Sequence, residues 1–136
     1  MKRVLIADDE PIERMIVTRT IQKYFPEELA VVSAVNGREA VEQFFAENCQ
    51  IALLDIEMPG MSGLEAAEQI RERDKNCSII FLTAFDEFNY AKRAIAVRAM
   101  EYLLKPVVDQ ELEAVLAEAI RIADEHTDDR EAGEKN

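Results

Sequence analysis

Acidic, hydroxyl and amino side chains stand directly after four apolar runs of the sequence, where together they could bind a cation and a phosphate. The acidic pair Asp8-Asp9 follows the first run, Asp55 closes a later run, and Thr83 and Lys105 follow two others. Carboxylates held close together repel one another unless a proton or a cation neutralises them, and their hard oxygen atoms favour Mg²⁺. A carboxylate nucleophile, a metal, a lysine and a hydroxyl make a site for phosphoryl transfer onto aspartate.

The position of Asp55 depends on the strand that precedes it and on the turn that follows it. Residues 51–54 are apolar and read as a buried strand, and Pro59-Gly60 forces a turn shortly afterwards. Asp55 is therefore predicted at the carboxyl end of this strand, where the sheet fixes its backbone and its side chain still meets solvent. In open parallel sheets, ligands bind in the crevice outside these strand ends.

Five apolar strand candidates alternate with five amphipathic helix candidates along the chain. This alternation predicts a parallel sheet that is covered on both faces. Right-handed crossovers favour a flavodoxin-like (βα)5 doubly wound α/β fold with the strand order 2-1-3-4-5. Its switch point lies between strands 1 and 3, the strands that end in Asp8-Asp9 and Asp55. The strands are predicted over residues 4–7, 29–34, 51–54, 78–82 and 101–104.

The apolar residues of the fourth and fifth helix candidates predict which faces pack against the sheet. The fourth candidate opens at Asp86, and Phe88, Ala91 and Ile95 are predicted to point inward. The fifth candidate has the most regular pattern, with apolar residues recurring three and four positions apart. They are Leu112, Val115, Leu116, Ala119, Ile120 and Ala123.

Composition limits the class of protein. With 136 residues, of which 49% are hydrophobic, the chain suits one domain with a single core. The formal net charge of -12 disfavours direct binding to nucleic acid, which needs clustered Lys and Arg. No apolar run is long enough to span a membrane, and the N-terminal residues do not form a signal peptide, so we expect a cytoplasmic protein. Cys49 and Cys77 lack metal-site spacing and are expected to be unpaired thiols.

The sequence becomes polar from Asp124 onward, after the last regular apolar position. No internal repeat and no linker to a second domain is visible. We therefore predict one domain over residues 1–123 and a polar, disordered tail over residues 124–136.

Each of these site residues has an ordinary explanation when it is taken alone. An aspartate after a strand is commonly a turn former or a helix cap, and residues 8–10 suit the start of a helix. Thr83 could simply end a strand, and Lys105 could be a solvated surface lysine. These explanations do not account for the placement of all the groups at the ends of strands 1, 3, 4 and 5. The combination indicates one shared site.

Four segments of the chain resemble the receiver domains of two-component response regulators, in the same order and with the same spacing. The resemblance covers about residues 2–123. It implies that Asp55 is a phosphoacceptor, which takes a phosphoryl group from a sensor histidine kinase. The segments are Val4-Leu5-Ile6-Ala7-Asp8-Asp9-Glu10, Leu53-Leu54-Asp55-Ile56-Glu57-Met58-Pro59-Gly60-Met61-Ser62-Gly63, Phe81-Leu82-Thr83-Ala84 and Tyr102-Leu103-Leu104-Lys105-Pro106.

The same resemblance implies a metal site around Asp55. Asp9 would bind Mg²⁺ directly, and Asp8 would bind it chiefly through water. Asp55 and the backbone carbonyl of Glu57 would complete the protein ligands.

Glu57 and Phe85 also flank the acceptor at positions that tune the loss of the phosphoryl group in this family. Because a carboxylate and a bulky ring can repel or screen the attacking water, we expect slow autodephosphorylation.

The resemblance also implies which groups bind the phosphoryl group and respond to it. Thr83, Ala84 and Lys105 would contact it, and the peptide bond between Lys105 and Pro106 would be cis. Thr83 would move toward the phosphoryl group, and Tyr102 would turn inward into the space behind it. The face formed by helix 4, strand 5 and helix 5 would then change and control an output such as homodimerisation or transcription.

Two further segments bear on the output. Residues 85–91 look like those of receivers joined to AraC-type helix-turn-helix output domains, and no such DNA-binding domain is present in this chain. A C-terminal output domain outside this chain and a stand-alone regulator are both open. Arg98 stands where many receivers have Gly at the end of helix 4, which predicts a different helix end and unusual mobility there.

The expected function is a phosphorylation switch and not an enzyme that acts on other substrates. Two other functions are open besides it. A Mg²⁺-dependent phosphatase of the haloacid-dehalogenase type also uses an aspartate at a strand end. That class normally needs a second aspartate two residues later, on the first strand, whereas Glu57 follows Asp55 on the third. A pseudo-receiver would keep the fold as a constitutive interaction module, yet the acidic pair, Asp55, Thr83 and Lys105 are all present.

Overall fold

The apolar runs form the five strands of one parallel sheet, in a computed structural model that describes residues 1–134, with side chains as far as residue 127. The strands lie in the order β2-β1-β3-β4-β5. Every residue of β3 and β4 is buried because helices cover both faces of the sheet. The predicted flavodoxin-like fold and strand order are confirmed. The strands are β1 (Lys2–Ala7), β2 (Leu29–Ala34), β3 (Ile51–Asp55), β4 (Ser78–Thr83) and β5 (Glu101–Leu104).

Local signals fix the starts of several helices. Pro11 occupies the first position of α1, where its missing N–H costs nothing. The side chains of Asn36 and Ser62 cap α2 and α3 by accepting hydrogen bonds from the third backbone N–H of each helix, at 2.8 and 3.2 Å. Within residues 1–134, no helix combines the length and the apolar character needed to cross a membrane. The helices are α1 (Pro11–Tyr24), α2 (Gly37–Ala46), α3 (Gly63–Arg73), α4 (Phe88–Ala96) and α5 (Asp109–Glu134).

The sheet divides the hydrophobic core into two layers. Successive residues of a strand point to opposite faces, so the neighbours Leu53 and Leu54 belong to different layers. Leu54 packs in the layer that contains Phe44 of α2, and Leu53 packs in the layer that contains Ile21 of α1 and Leu116 of α5. Both faces of β3 are therefore filled by apolar side chains, which fixes the strand that carries Asp55.

The predicted inward face of α4 is wrong. Phe88 is 81% exposed and Ile95 is 78% exposed, whereas Ala94 and Val97 are buried and Ala91 is half-buried. Two apolar rows with helical spacing run along this segment, one with Phe88 and Ile95 and the other with Ala94 and Val97. The row with the smaller side chains packs inward, because small side chains allow the helix to approach the rest of the chain closely. The helix also begins two residues later than predicted, at Phe88.

The end of α4 also differs from the expectation. Arg98 adopts the left-handed conformation (φ 56°) that Gly usually takes after a helix, and the backbone N–H of Ala99 bonds to the carbonyl of Ala94 at 3.0 Å. The different helix end that we predicted from Arg98 is therefore wrong. The buried guanidinium of Arg71 stabilises this turn by donating to the carbonyl oxygens of Val97 and Arg98, at 2.8 and 3.2 Å.

The last helix extends past the predicted start of a disordered tail. α5 continues through Asp124 to Glu134. Near this point the Thr127 hydroxyl donates to the carbonyl of Ala123 and accepts from Lys2 Nζ, which ties the helix to the start of β1. The prediction of disorder is thus wrong for residues 124–134, and residues 135 and 136 lie outside the described part of the chain. The domain boundary at residue 123 stays a prediction.

Candidate functional site

The ends of β1 and β3 bring the first two acidic positions together. These strands are neighbours, with Ala7 paired to Leu54, so Asp8 and Asp55 emerge side by side. The loop after Asp55 folds back tightly, because a Cβ atom added to Gly63 would lie 2.0 Å from the carbonyl oxygen of Asp55. Only a glycine allows this approach, which holds the start of α3 against the end of β3.

Three carboxylates converge at this edge of the sheet. One oxygen atom from each of Asp8, Asp9 and Asp55 lies within 4.8 Å of the other two, and no other group of three acidic, histidine or cysteine ligands does so among the described residues. Asp8 and Asp55 are buried, and Asp9 is exposed. Asp8 Oδ1 also accepts a hydrogen bond from the backbone N–H of Glu10 at 3.0 Å, which fixes its orientation.

Lys105 supplies the countercharge for this cluster. It follows β5, and its Nζ lies 2.9 Å from Asp8 Oδ2, 3.6 Å from Asp55 Oδ1 and 3.9 Å from Glu13 Oε2. Glu13 is on the first turn of α1 and brings a fourth carboxylate to the edge of the site. One ammonium group therefore lies near three of the four carboxylates, and the site keeps an excess of negative charge.

The pKa values of the site follow from burial and from these neighbouring charges. Burial raises the pKa of Asp55 to about 6; Lys105 opposes the rise, and the charges of Asp8 and Asp9 add to it. Burial also acts to lower the pKa of Lys105, but the hydrogen bond to Asp8 and the charges of Asp55, Asp8 and Glu13 raise it overall. The amine therefore stays charged, while an ionised Asp55 is held at a cost in free energy.

The donor set fits a hard divalent cation. Carboxylate oxygens are the ligands that Mg²⁺ prefers, and only one of the three convergent carboxylates is hydrogen-bonded to Lys105. An exposed Asp9 beside two buried partners leaves one side of the cluster open to solvent, where a cation could keep several of its waters. Asp8, Asp9 and Asp55 could hold such an ion, which would relieve the repulsion among them.

Thr83 ends β4, the neighbour of β3, and it is linked to Tyr102 of β5 through one residue. The fully buried Thr83 hydroxyl accepts a hydrogen bond from the backbone N–H of Phe85 at 3.1 Å. The Tyr102 hydroxyl donates to the backbone carbonyl of the same Phe85 at 2.7 Å, and its ring lies 6.5 Å from the ring of Phe81. A movement of either side chain therefore acts on the β4–α4 loop.

The remaining predicted residues surround the carboxylates. Ala84 lines a cavity of about 430 Å³ between α1 and α5, together with Lys105 and Pro106. The Lys105–Pro106 peptide bond is cis. The Glu57 side chain is exposed and points toward α4, where its carboxylate accepts a hydrogen bond from Tyr90.

Several contacts were not predicted from the sequence. Glu13 could have been found, since it lies on the first turn of the helix that follows Asp8-Asp9 and so faces the same edge of the sheet. The backbone of Phe85 and the hydroxyl of Tyr90 left no comparable signal. Their contacts join positions 17 and 33 residues apart in the sequence, and no local pattern specifies them.

Comparison with known proteins agrees with this geometry. A family model described as the response regulator receiver domain matches residues 4–117. The chain belongs to this family. Receiver domains are components of two-component signal transduction, and the fold of this chain is that of the family.

Individual relatives show how much of a longer protein this chain covers. The positive alginate biosynthesis regulatory protein of Pseudomonas aeruginosa is 41% identical over 118 residues, which are 87% of this chain and 47% of that protein. The chain thus spans about half of that relative's length. The REC domain of AraT from Geobacillus stearothermophilus is 35% identical, with a TM-score of 0.81, and the match covers 93% of this chain and 98% of that structure.

One similar structure carries ligands. The response regulator TrrA of Thermotoga maritima, in complex with Mg²⁺ and BeF, is 39% identical, with a TM-score of 0.78. The match covers 88% of this chain and 99% of that structure.

Proposed function

We propose that this chain is a phosphorylation-activated switch, in which Asp55 accepts a phosphoryl group from the phosphohistidine of a sensor kinase. A carboxylate oxygen of Asp55 attacks the phosphorus atom as the phosphorus–nitrogen bond of the donor breaks. The electron pair of that bond goes to the imidazole nitrogen, which is protonated as it leaves. The observation that carries the proposal is the convergence of Asp8, Asp9 and Lys105 on Asp55.

Asp8, Asp9, Asp55 and the backbone carbonyl of Glu57 would hold Mg²⁺ in this function. A bound Mg²⁺ neutralises negative charge on the carboxylates and on the phosphoryl oxygens. The donor set described above supports this assignment, as does the complex of TrrA with Mg²⁺ and BeF. Lys105 would pair with the phosphoryl group, and Thr83 and Ala84 would contact its oxygens.

The switch itself would involve Thr83 and Tyr102. A phosphoryl group on Asp55 offers three strong acceptor oxygens, to which the Thr83 hydroxyl could donate its hydrogen; in the unmodified chain this hydroxyl accepts from the Phe85 N–H. When that hydroxyl turns toward the phosphoryl group, the ring of Tyr102 gains space to turn inward and gives up its hydrogen bond to Phe85. A few kcal/mol of such differential contacts shifts a two-state equilibrium substantially.

A kinase would dock on the rim of the site formed by α1. Ile12, Met15 and Ile16 are exposed apolar residues on this helix, which starts directly after the acidic pair. A phosphohistidine can reach Asp55 only if the protein that carries it covers this rim, and exposed apolar side chains provide the contact area for such a partner.

The output would be read from the face formed by α4, β5 and α5. Phe88, Ile95 and Leu104 are exposed apolar residues of this face, and Tyr102 lies beside them on β5. Homodimerisation through this face, or contact with a C-terminal DNA-binding domain outside this chain, would then control transcription. The regulatory name of the P. aeruginosa relative and its greater length support this assignment.

The chain would act in the cytoplasm and would not turn over external substrates. Its chemistry would be confined to its own phosphorylation and to slow dephosphorylation. Glu57 and Phe85, which follow the ends of β3 and β4, have exposed side chains, and their bulk and charge support a slow rate. A half-life of only seconds for the isolated phosphoprotein would contradict this last point.

Intact mass spectrometry tests the proposal. The chain is incubated with Mg²⁺ and phosphoramidate, with Asp55→Ala as the comparison. We expect one phosphoryl adduct, which is lost in Asp55→Ala and when Mg²⁺ is removed by a chelator. An adduct that persists in Asp55→Ala would assign the phosphoryl group to another residue. The absence of any adduct with this donor and with a histidine kinase would refute the proposed function.

A further inference from the structure

The hydroxyl of Tyr90 is bound to the residue that stands two positions after the acceptor aspartate. Tyr90 Oη donates to Glu57 Oε1 at 2.7 Å and joins α4 to the β3–α3 loop. The two side chains line a cavity of about 530 Å³ between α3 and α4, together with Arg93. This contact has no part in the switch described above, which uses Thr83 and Tyr102.

Tyr90 alone fixes the Glu57 carboxylate among the described residues. Within that part of the chain, no other group donates a hydrogen bond to this carboxylate and no basic side chain pairs with it. Arg93, the nearest basic residue of the same cavity, is paired with Glu68 of α3. A free glutamate side chain at an exposed position samples several rotamers, so the position of this charge depends on one hydroxyl.

The location of Glu57 makes its position matter for chemistry. It follows Asp55 by two residues on the loop that leaves β3, and its exposed carboxylate stands on the α4 side of that loop. A water molecule that removes the phosphoryl group must reach the phosphorus atom from solvent, and the β3–α3 loop that carries Glu57 borders Asp55. A carboxylate and a tyrosine ring held in place on the α4 side narrow that path, whereas a mobile side chain leaves it open part of the time.

We propose that Tyr90 is a positioning residue that prolongs the life of the phosphorylated state by holding the Glu57 carboxylate beside the path of the attacking water. The inference rests on the proposed phosphorylation of Asp55. In the reaction that it slows, a water oxygen attacks the phosphorus atom and the bond from phosphorus to the Asp55 oxygen breaks. The electron pair of that bond returns to the carboxylate, a proton leaves the water, and inorganic phosphate is released.

The test is the half-life of the phosphoryl adduct in Tyr90→Phe, which removes the hydroxyl and keeps the ring. After phosphoramidate is removed, the adduct is followed by intact mass in the presence of Mg²⁺. We expect Tyr90→Phe to shorten the half-life threefold or more. The matched control is Tyr24→Phe, the same change at a tyrosine whose hydroxyl makes no hydrogen bond within residues 1–127, and it should leave the half-life unchanged.

Double variants separate a positioning role from a general effect on α4. Glu57→Ala should shorten the half-life as much as Tyr90→Phe does, and the double variant should lose the phosphoryl group no faster than Glu57→Ala alone. In Glu57→Gln the amide oxygen still accepts the hydrogen bond, so Tyr90→Phe should shorten the half-life again in that background.

Two results would overturn the inference. The first is an unchanged half-life in Tyr90→Phe, and the second is an equal effect of Tyr90→Phe in the Glu57→Ala background, which would show that Tyr90 acts without Glu57. In both cases the unmodified chain still forms its adduct, so the proposed function survives. If the unmodified chain forms no adduct at all, both the proposed function and this inference are refuted.

Discussion

Replacing Asp55 by Asn should stabilise the metal-free fold, because the ionised carboxylate is held among like charges. The pKa of Asp55 is about 6 in the folded chain, against an ordinary value of 3.8. This difference corresponds to about 3 kcal/mol of folding free energy, at about 1.36 kcal/mol for each tenfold change in proton affinity. About 3 kcal/mol is an upper value, since Asn loses the contact with Lys105 and must still bury an amide.

The sign of the pH dependence follows from the raised pKa. The folded chain binds the Asp55 proton more tightly than the unfolded chain, so protonation of Asp55 favours the folded state. This contribution to the free energy of unfolding is fully present below about pH 4 and is lost as pH rises through about 6. The advantage of Asp55→Asn should therefore be largest above about pH 6 and disappear below about pH 4.

Urea unfolding of both chains in a chelator, across this pH range, measures the effect. We expect Asp55→Asn to be more stable by about 2 to 3 kcal/mol at neutral pH, and Mg²⁺ to reduce the difference because it stabilises the unsubstituted chain. A variant that is less stable than the unsubstituted chain at neutral pH, or that shows the same difference at acid pH, would refute the reasoning.

Three further outcomes follow from other contacts. Lys105→Met removes the countercharge that lies 3.6 Å from Asp55. Calorimetry should therefore show that Mg²⁺ binds about fivefold more tightly, and an unchanged affinity would contradict the assigned electrostatics. Arg71→Met leaves several buried carbonyl oxygens without their donor, and urea unfolding should show a loss of about 3 kcal/mol, whereas a loss below about 1 kcal/mol would argue against this role. Burial raises the pKa of Cys77 to about 12 and that of Cys49 to about 11. A thiol reagent that reacts by disulfide exchange should therefore modify these thiols at about pH 8 only when urea unfolds the chain. Rapid modification of the folded chain would show that the thiols are accessible.

The fold could be predicted because the strands carry their signal locally. The residues of β3 and β4 are apolar along almost their whole length, as strands covered on both faces must be, and polar residues mark the point where each strand ends. Parallel pairing then brings those ends to one edge of the sheet. The approach of Asp8 to Asp55 and of Lys105 to both follows from this rule.

The face of α4 could not be predicted, because two apolar rows share the same helical spacing. Phe88 and Ile95 are larger than Ala94 and were expected inside, but the structure leaves them exposed. Helical periodicity identifies the rows and does not say which one meets the core. The exposed row belongs to the face that is proposed to carry the output, so the departure from the predicted pattern lies on a proposed functional surface.

The contacts of Tyr90 and Arg71 could not be predicted for a different reason. The Tyr90 hydroxyl reaches Glu57 across 33 positions of sequence, and the Arg71 guanidinium reaches Val97 across 26. Such bonds depend on how α3, α4 and the β3–α3 loop pack together. An arginine on a helix gives no sign in the sequence that it will be buried, since this residue type is mostly exposed.

Chemical identification of the phosphorylated residue tests the central claim most directly. An aspartyl phosphate is a reactive acyl phosphate, and borohydride reduces it to homoserine, which peptide mass spectrometry can locate. After incubation with Mg²⁺ and a phosphohistidine-bearing kinase, we predict homoserine at position 55. Homoserine at Asp8 or Asp9 instead, or none in a chain that carries the phosphoryl group, would contradict the assignment of Asp55 as the acceptor.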